Sequence, residues 1–159
     1  MKIALPTLIA AVAVAGVAFT TPADTMEGHT IVRPQDIKWG PAPAILPPGA
    51  EAALLSGDPD KEGVFVLRLK FPAGYSVAPH THPVDEVVTV ISGTFSVGMG
   101  ETADPRKAQP LPAGSFHALP PGMAHYVFME EETVIQISTK GPWGLTYINP
   151  KDDPRQKTR

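Results

Sequence analysis

Two histidines, His80 and His82, stand two residues apart, and Glu86 follows within the stretch GYSVAPHTHPVDEVVTVISG from Gly74 to Gly93. In a strand, a spacing of two puts both imidazoles on one face. Glu86 shares their parity, and Pro83 is the residue able to bend the chain between them. Imidazoles and a carboxylate converging on one point of a sheet suit a divalent transition metal: imidazole favours Fe, Ni, Cu or Zn, and the carboxylate keeps Mn in play. A second stretch, GSFHALPPGMAH, runs from Gly114 to His125, with turns set by Gly114, Pro120 and Gly122. If the strand opened by His125 packs beside the first, that imidazole supplies a fourth ligand. Three of the five histidines, His80, His82 and His125, take the ligand positions of these two patterns, and the chain has no cysteine. Thiolate ligation and disulfides are therefore excluded, and any metal must be held by imidazole and carboxylate.

The neighbouring polar residues carry weaker expectations. Glu86 either ligates the metal throughout or swings off to act as a base; both readings stay open. Asp85 has the opposite parity and is expected to face outward or orient a neighbour. His117 lies in the second stretch but off the ligand position. It reads as a surface residue or a support for the ligands, with a pocket acid or base as the alternative. His29 is expected to be solvated. Glycine-rich phosphate loops, a G-x-S-x-G elbow and a cysteine nucleophile are all absent from the sequence.

The elements that must position these side chains read as short strands. Runs rich in Val, Ile, Phe and Thr cover 64–71, 84–91, 94–98, 115–119, 125–128 and 133–138, separated by turns drawn from 19 prolines and 14 glycines. That pattern predicts an all-β sandwich or barrel. Ala50 to Ser56 is expected to form one helical turn. The prolines at 41, 43, 47 and 48 make an extended arm that Ile31 and Ile37 pin to a sheet edge. Residues 100–109 read as a polar loop, and Glu130, Glu131 and Glu132 as a solvated hairpin turn.

At the amino terminus Lys2 precedes an apolar run from Leu8 to Phe19 and then Thr20, Thr21, Pro22 and Ala23. A positive start, a dozen apolar residues and a small-residue stop predict a secretory signal peptide, cleaved after Ala23 or, as the alternative, after Ala18. The run is shorter than the ~20 residues of a spanning helix. Lys2 is the only charged residue in 1–23, so the remainder carries 12 basic and 16 acidic side chains, a formal charge of −4. Such a balance gives no electrostatic reason to bind nucleic acid or an anionic membrane. The expected organisation is a signal peptide at 1–23, an arm with edge strands at 24–62, a barrel at 63–148 and a flexible polar tail at 149–159. The mature protein is expected to be exported, periplasmic or secreted, without a membrane span.

The first stretch is similar to the first cupin motif, G-x5-H-x-H-x3-E-x6-G, at Gly74, His80, His82, Glu86 and Gly93. The second resembles the second cupin motif, G-x5-P-x-G-x2-H-x3-N, at Gly114, Pro120, Gly122 and His125, and departs at the last position, where Met129 replaces Asn. The flanks, including Trp39, Gly57-Asp58-Pro59 and Gly141-Pro142-Trp143, look like those of exported single-domain cupins grouped with the ChrR-type domain. The resemblance implies a double-stranded β-helix, or jelly-roll, barrel in which His80, His82, Glu86 and His125 ligate one divalent transition metal (Fe, Mn, Ni, Zn or Cu). It also implies a metal-dependent enzyme acting on a small molecule, first a dioxygenase-type oxidoreductase and second an isomerase. A non-catalytic module that binds or senses a small ligand is the alternative. A homodimer joined through sheet edges, with the proline-rich arm adding a strand to its neighbour, is expected.

Overall fold

The computed structural model describes residues 29–156. The expected signal peptide lies outside the described residues. Eleven strands are present: β1 (Gly40–Pro41), β2 (Glu51–Ser56), β3 (Gly63–Phe71), β4 (Tyr75–Thr81), β5 (Glu86–Ser92), β6 (Thr94–Met99), β7 (Gln109–Pro112), β8 (Phe116–Leu119), β9 (His125–Met129), β10 (Thr133–Gly141) and β11 (Thr146–Tyr147). They form two antiparallel sheets, one ordered β1-β2-β3-β10-β5-β8 and the other β11-β4-β9-β6-β7. From β3 to β6, and again from β7 to β11, each successive strand lies in the opposite sheet. The chain thus winds around one core as the expected jelly roll.

Alternation of side chains builds that core. Phe65, Leu67, Leu69 and Phe71 of β3 point inward, as do Val88 and Val90 of β5 and Ile135 and Ile137 of β10. The facing sheet contributes Tyr75, Val77, Phe95, Val97, Val127 and Met129. Met129, which stands where the motif has Asn, is part of this apolar packing. Each such side chain stabilises the fold by roughly 1.5–3 kcal/mol on full burial.

Several expectations need revision. Ala50 to Ser56 is not a helical turn: Glu51–Ser56 is β2, paired with β3, because inward Ala53 alternates with outward Leu54 across a pleat. The Glu130–Glu132 turn is exposed but joins β9 in one sheet to β10 in the other, so it crosses the sandwich rather than closing a hairpin. The arm adds its strand β1 to its own chain, opposite β2. Ile31 is 67% exposed and does not pin the arm. Leu46 does so instead, entering the core at 6% exposure while Tyr75 Oη donates to Pro47 O and Tyr147 Oη to Ile45 O at 2.9 Å. Within the polar tail, 3-10 turns at Pro150–Asp152 and Pro154–Gln156 are fixed by Asn149 and by the Asp153–Arg155 pair, whose Nη2–Oδ2 distance is 2.7 Å. Among the described residues no helix is long and apolar enough to cross a membrane.

Behind the site, Gly98 of β6 lies opposite Tyr126 of β9, and a Cβ there would sit 2.2 Å from the phenol ring. Tyr126 is 1% exposed and its hydroxyl donates to Asp104 O at 3.1 Å, so the ring has nowhere to move. Gly98→Ala is expected to destabilise the protein by about 1–3 kcal/mol through overpacking. Gly40→Ala, where nothing lies within 4 Å, should stay within about 0.5 kcal/mol of wild type. Urea unfolding of the two variants checks the contrast.

Candidate metal centre

Strand pairing brings the two sequence patterns together. β4 runs beside β9 with His80 directly opposite His125, and their rings lie 4.2 Å apart between centroids. The β4–β9 register shifts between Val77 and His80. That irregularity changes the inward parity from Tyr75 and Val77 to His80, a switch that strict alternation does not anticipate. His82 lies one residue beyond β4, in the link to β5. Its carbonyl accepts from Gly122 N at 2.9 Å, tying the turn of the second pattern to the first. Gly122 holds a φ of +76°, a conformation costly for other residues. Glu86 begins β5 on the opposite sheet and faces inward with Val88 and Val90.

All four residues are buried, each at 5% exposure or less. One potential ligand atom from each of His80, His82 and His125 falls within a set whose mutual distances are at most 4.8 Å, so these three could hold a metal ion. The Glu86 carboxylate reaches two of them: Oε1 is 3.4 Å from His82 Nε2 and Oε2 is 3.1 Å from His125 Nε2. His117 is also inside, its Nε2 3.9 Å from Glu86 Oε2, which supports the reading of it beside the ligands rather than on the surface. Asp85 is exposed as expected, with only its carbonyl engaged, by Thr139 Oγ1 at 2.7 Å.

The protonation pattern follows from the partners. His80 Nδ1 faces Ala78 O at 2.7 Å, His82 Nδ1 faces Gly144 O at 2.6 Å and His125 Nδ1 faces Met123 O at 3.1 Å. A carbonyl oxygen only accepts, so each Nδ1 must carry the hydrogen, and each neutral ring keeps its lone pair on Nε2. The Nε2 atoms of His82 and His125, with Glu86 Oε2, are buried without a hydrogen-bond partner. Lone pairs facing lone pairs at 3.1–3.4 Å repel unless a cation lies among them. A divalent metal meets that need, and the backbone-held Nδ1–H groups are the orienting contacts that metal-ligating imidazoles use.

A proton is the competing cation. Burial pushes the His80 imidazole down to about 3, helped by the neighbouring His125 and His82 charges, so this ring stays neutral. Burial also opposes ionisation of Glu86, but its contacts with His125 and His82 outweigh burial and hold the carboxyl below its ordinary value. For His125, burial lowers the value and the Glu86 contact raises it further than burial lowers it.

Sequence reasoning missed two contributors. Trp143 stacks on the His82 ring at 5.0 Å between centroids and 18° between planes. Leu46 of the arm shares the lining of the interior space with His80, His82, Glu86 and Trp143. Neither lies in a strand whose periodicity would signal an inward side chain. The Gly-Pro-Trp-Gly flank was visible only as part of a resemblance.

Residues 26–146 match the family described as Domain of unknown function (DUF4437). A germin-like protein, subfamily 2 member 1, of Arabidopsis thaliana is 40% identical over 65 residues, which cover 40% of this chain and 30% of that protein. The chain thus spans about a third of the length of the curated relatives it matches. Among solved structures, the polyketide cyclase RemF from Streptomyces resistomycificus superimposes with a TM-score of 0.63 at 16% identity, over 82% of this chain and 92% of that one. A protein from Methylibium petroleiphilum, provisionally named an acetylacetone dioxygenase, gives 0.61 at 22% identity over 79% and 85%. Those structural likenesses establish the fold, which an RmlC-like cupin from Shewanella frigidimarina shares with a TM-score of 0.54 at 16% identity over 69% of this chain and 87% of that one.

Chelator dialysis followed by titration with Zn²⁺ or Mn²⁺ is expected to restore one ion per chain. Metal at 100 times its dissociation constant should add about 2.7 kcal/mol of stability. His125→Ala should lose the ion, whereas His117→Phe should keep it. Because the metal must displace the proton that Glu86 favours on His125, affinity should weaken as pH is lowered from 8 towards 5. Competition titration with a chromophoric chelator checks the sign.

Proposed function

For a chain that belongs to the DUF4437 family, within the cupin superfamily, we propose a metal-dependent enzyme that transforms a small molecule, by dioxygenase-type oxidation first and isomerisation second. The observation that carries this reading is the set of three inward imidazoles, each with its Nδ1 hydrogen committed to a backbone carbonyl, beside an apolar interior. In this reading His80, His82 and His125 hold one of Fe, Mn, Ni, Zn or Cu with Glu86 as fourth ligand. Bound there, the ion supplies Lewis acidity and a place for substrate oxygen or dioxygen.

The protein's own residues do the rest. Backbone acceptors fix the ring orientations before any ligand arrives, so little reorganisation is required when charge develops. Leu69, Phe71, Val127, Ile135 and Ile137 exclude bulk water from the interior, which strengthens every polar contact made inside it. Glu86 either keeps the ion as fourth ligand or swings off it to accept a proton from a bound substrate. The provisional naming of the Methylibium protein supports oxidation as the first choice.

Export is proposed on the amino-terminal pattern alone, with the signal peptide ending at Ala23 or Ala18. Intact-mass measurement of protein from the native exported fraction should give a chain starting at Asp24 or Phe19; a chain retaining Met1 would refute it. For activity, the metal-loaded protein should consume dioxygen, or interconvert isomers anaerobically, with at least one member of a panel of enediols, diketones and phenols. Tight calorimetric binding of a panel member that is recovered unchanged, with no turnover of any other, would replace the enzyme by the ligand-binding module.

A further inference from the structure

Two buried polar atoms face each other without bonding. Glu86 Oε2 and His117 Nε2 each lack a hydrogen-bond partner, and they stand 3.9 Å apart, about 1 Å beyond an ordinary hydrogen bond. The sheet sets them there. β5 and β8 pair with Glu86 opposite Leu119 and Val88 opposite His117, so the two residues are diagonal neighbours on one inward face. Such neighbours are within reach of each other when the side chains are long or aromatic. The ring of His117 is boxed in by Phe95 and His125, each 6.4 Å away between centroids. The three other inward imidazoles keep Nδ1 on a backbone carbonyl. Among the described residues no carbonyl does this for His117, so nothing ties its hydrogen to that nitrogen. A lone pair on Nε2 would repel Glu86 Oε2, whereas a hydrogen there is attracted to it. The terminal torsion of a glutamate is broad, and its rotation closes a gap of this size. One hydrogen bond then relieves two orphaned groups that are each costly to bury.

We propose that His117 is the positioning residue of Glu86: its Nε2–H holds Oε2, so that the carboxylate offers the ion one oxygen rather than two. Glu86 is the one member of the expected ligand set that no backbone group orients among the described residues, and His117 supplies that support. A free carboxylate binds a cation through either one oxygen or both. Held to one, it leaves the ion a further position, and an open position is what separates a reactive site from a closed structural one. His117 touches neither ion nor substrate and acts through Glu86 alone. This inference rests on the metal-dependent reading of the preceding subsection and deepens it by naming what keeps the centre open.

The test is infrared difference spectroscopy of the full chain, zinc-loaded minus zinc-free, after zinc uptake has been measured. The separation between the two carboxylate stretches is wide for binding through one oxygen and narrow for binding through both. Glu86→Gln identifies the bands by removing them. Wild type should show the wide separation. His117→Phe removes the donor; it should still take up one zinc per chain, with affinity weakened about tenfold, and its separation should narrow. His117→Gln returns an N–H donor close to the place of Nε2 and should restore the wide separation. His117→Leu serves if the Phe variant folds poorly. A separation that stays wide without the donor, or that glutamine fails to restore, overturns the proposal while leaving the metal site standing, as does a narrow separation in wild type. Loss of zinc from the variants without the donor makes His117 a ligand and overturns it too. Wild-type protein that takes up no zinc overturns the metal-dependent reading before any variant is made.

Discussion

The centre depends on where three imidazoles keep their hydrogens. Because Nδ1 of His80, His82 and His125 each meets a backbone carbonyl, the acceptor end of every ring is turned to the same small volume. Two of these carbonyls, Ala78 O and Met123 O, lie two residues before the histidine they orient, so the local chain path sets the ring. The third, Gly144 O, comes from 62 residues away and closes the site only when the last loop has docked. Two rings are thus arranged by their own strands, and one waits on tertiary structure.

That division explains what the sequence made legible. Short apolar runs revealed β3, β5, β6, β8, β9 and β10 but not β4 or β7, and the facing of His80 and His125 followed once β4 and β9 were neighbours. The inward turn of His80 relative to Val77 comes from an irregularity in register, which no parity rule contains, whereas the spacing of two from His80 to His82 holds beyond it and keeps both buried. β2 was hidden because alanine and leucine suit a helix as well as a strand, and only the partner β3 decides between them. Leu46 and Trp143 were illegible for a related reason. Both sit in proline-punctuated segments without a period, and their inward placement is a property of what they pack against.

His117 shows how burial revises a residue's meaning. At its register position opposite Val88, it must face the interior, since directly paired residues of an antiparallel ladder share a face. Its side chain is 12% exposed, and burial lowers its affinity for a proton. A neutral imidazole beside Glu86 adds polarity on the side of the carboxylate away from His82. The barrel therefore presents an asymmetric interior, with polar groups gathered around Glu86 and hydrocarbon elsewhere.

The docking of the arm has a consequence for how the molecule comes together. The Tyr147–Ile45 hydrogen bond joins residues 102 apart in sequence, and Leu46 finds its neighbours on strands made much later in the chain. During synthesis, the amino-terminal segment must wait for nearly the whole polypeptide before its own packing surface exists. Contacts of such long sequence separation are slow to close, because the entropy of a large loop is lost before any packing is gained. Seating of the arm is thus tied to the far end of the barrel, since its tyrosine anchor arrives only with β11.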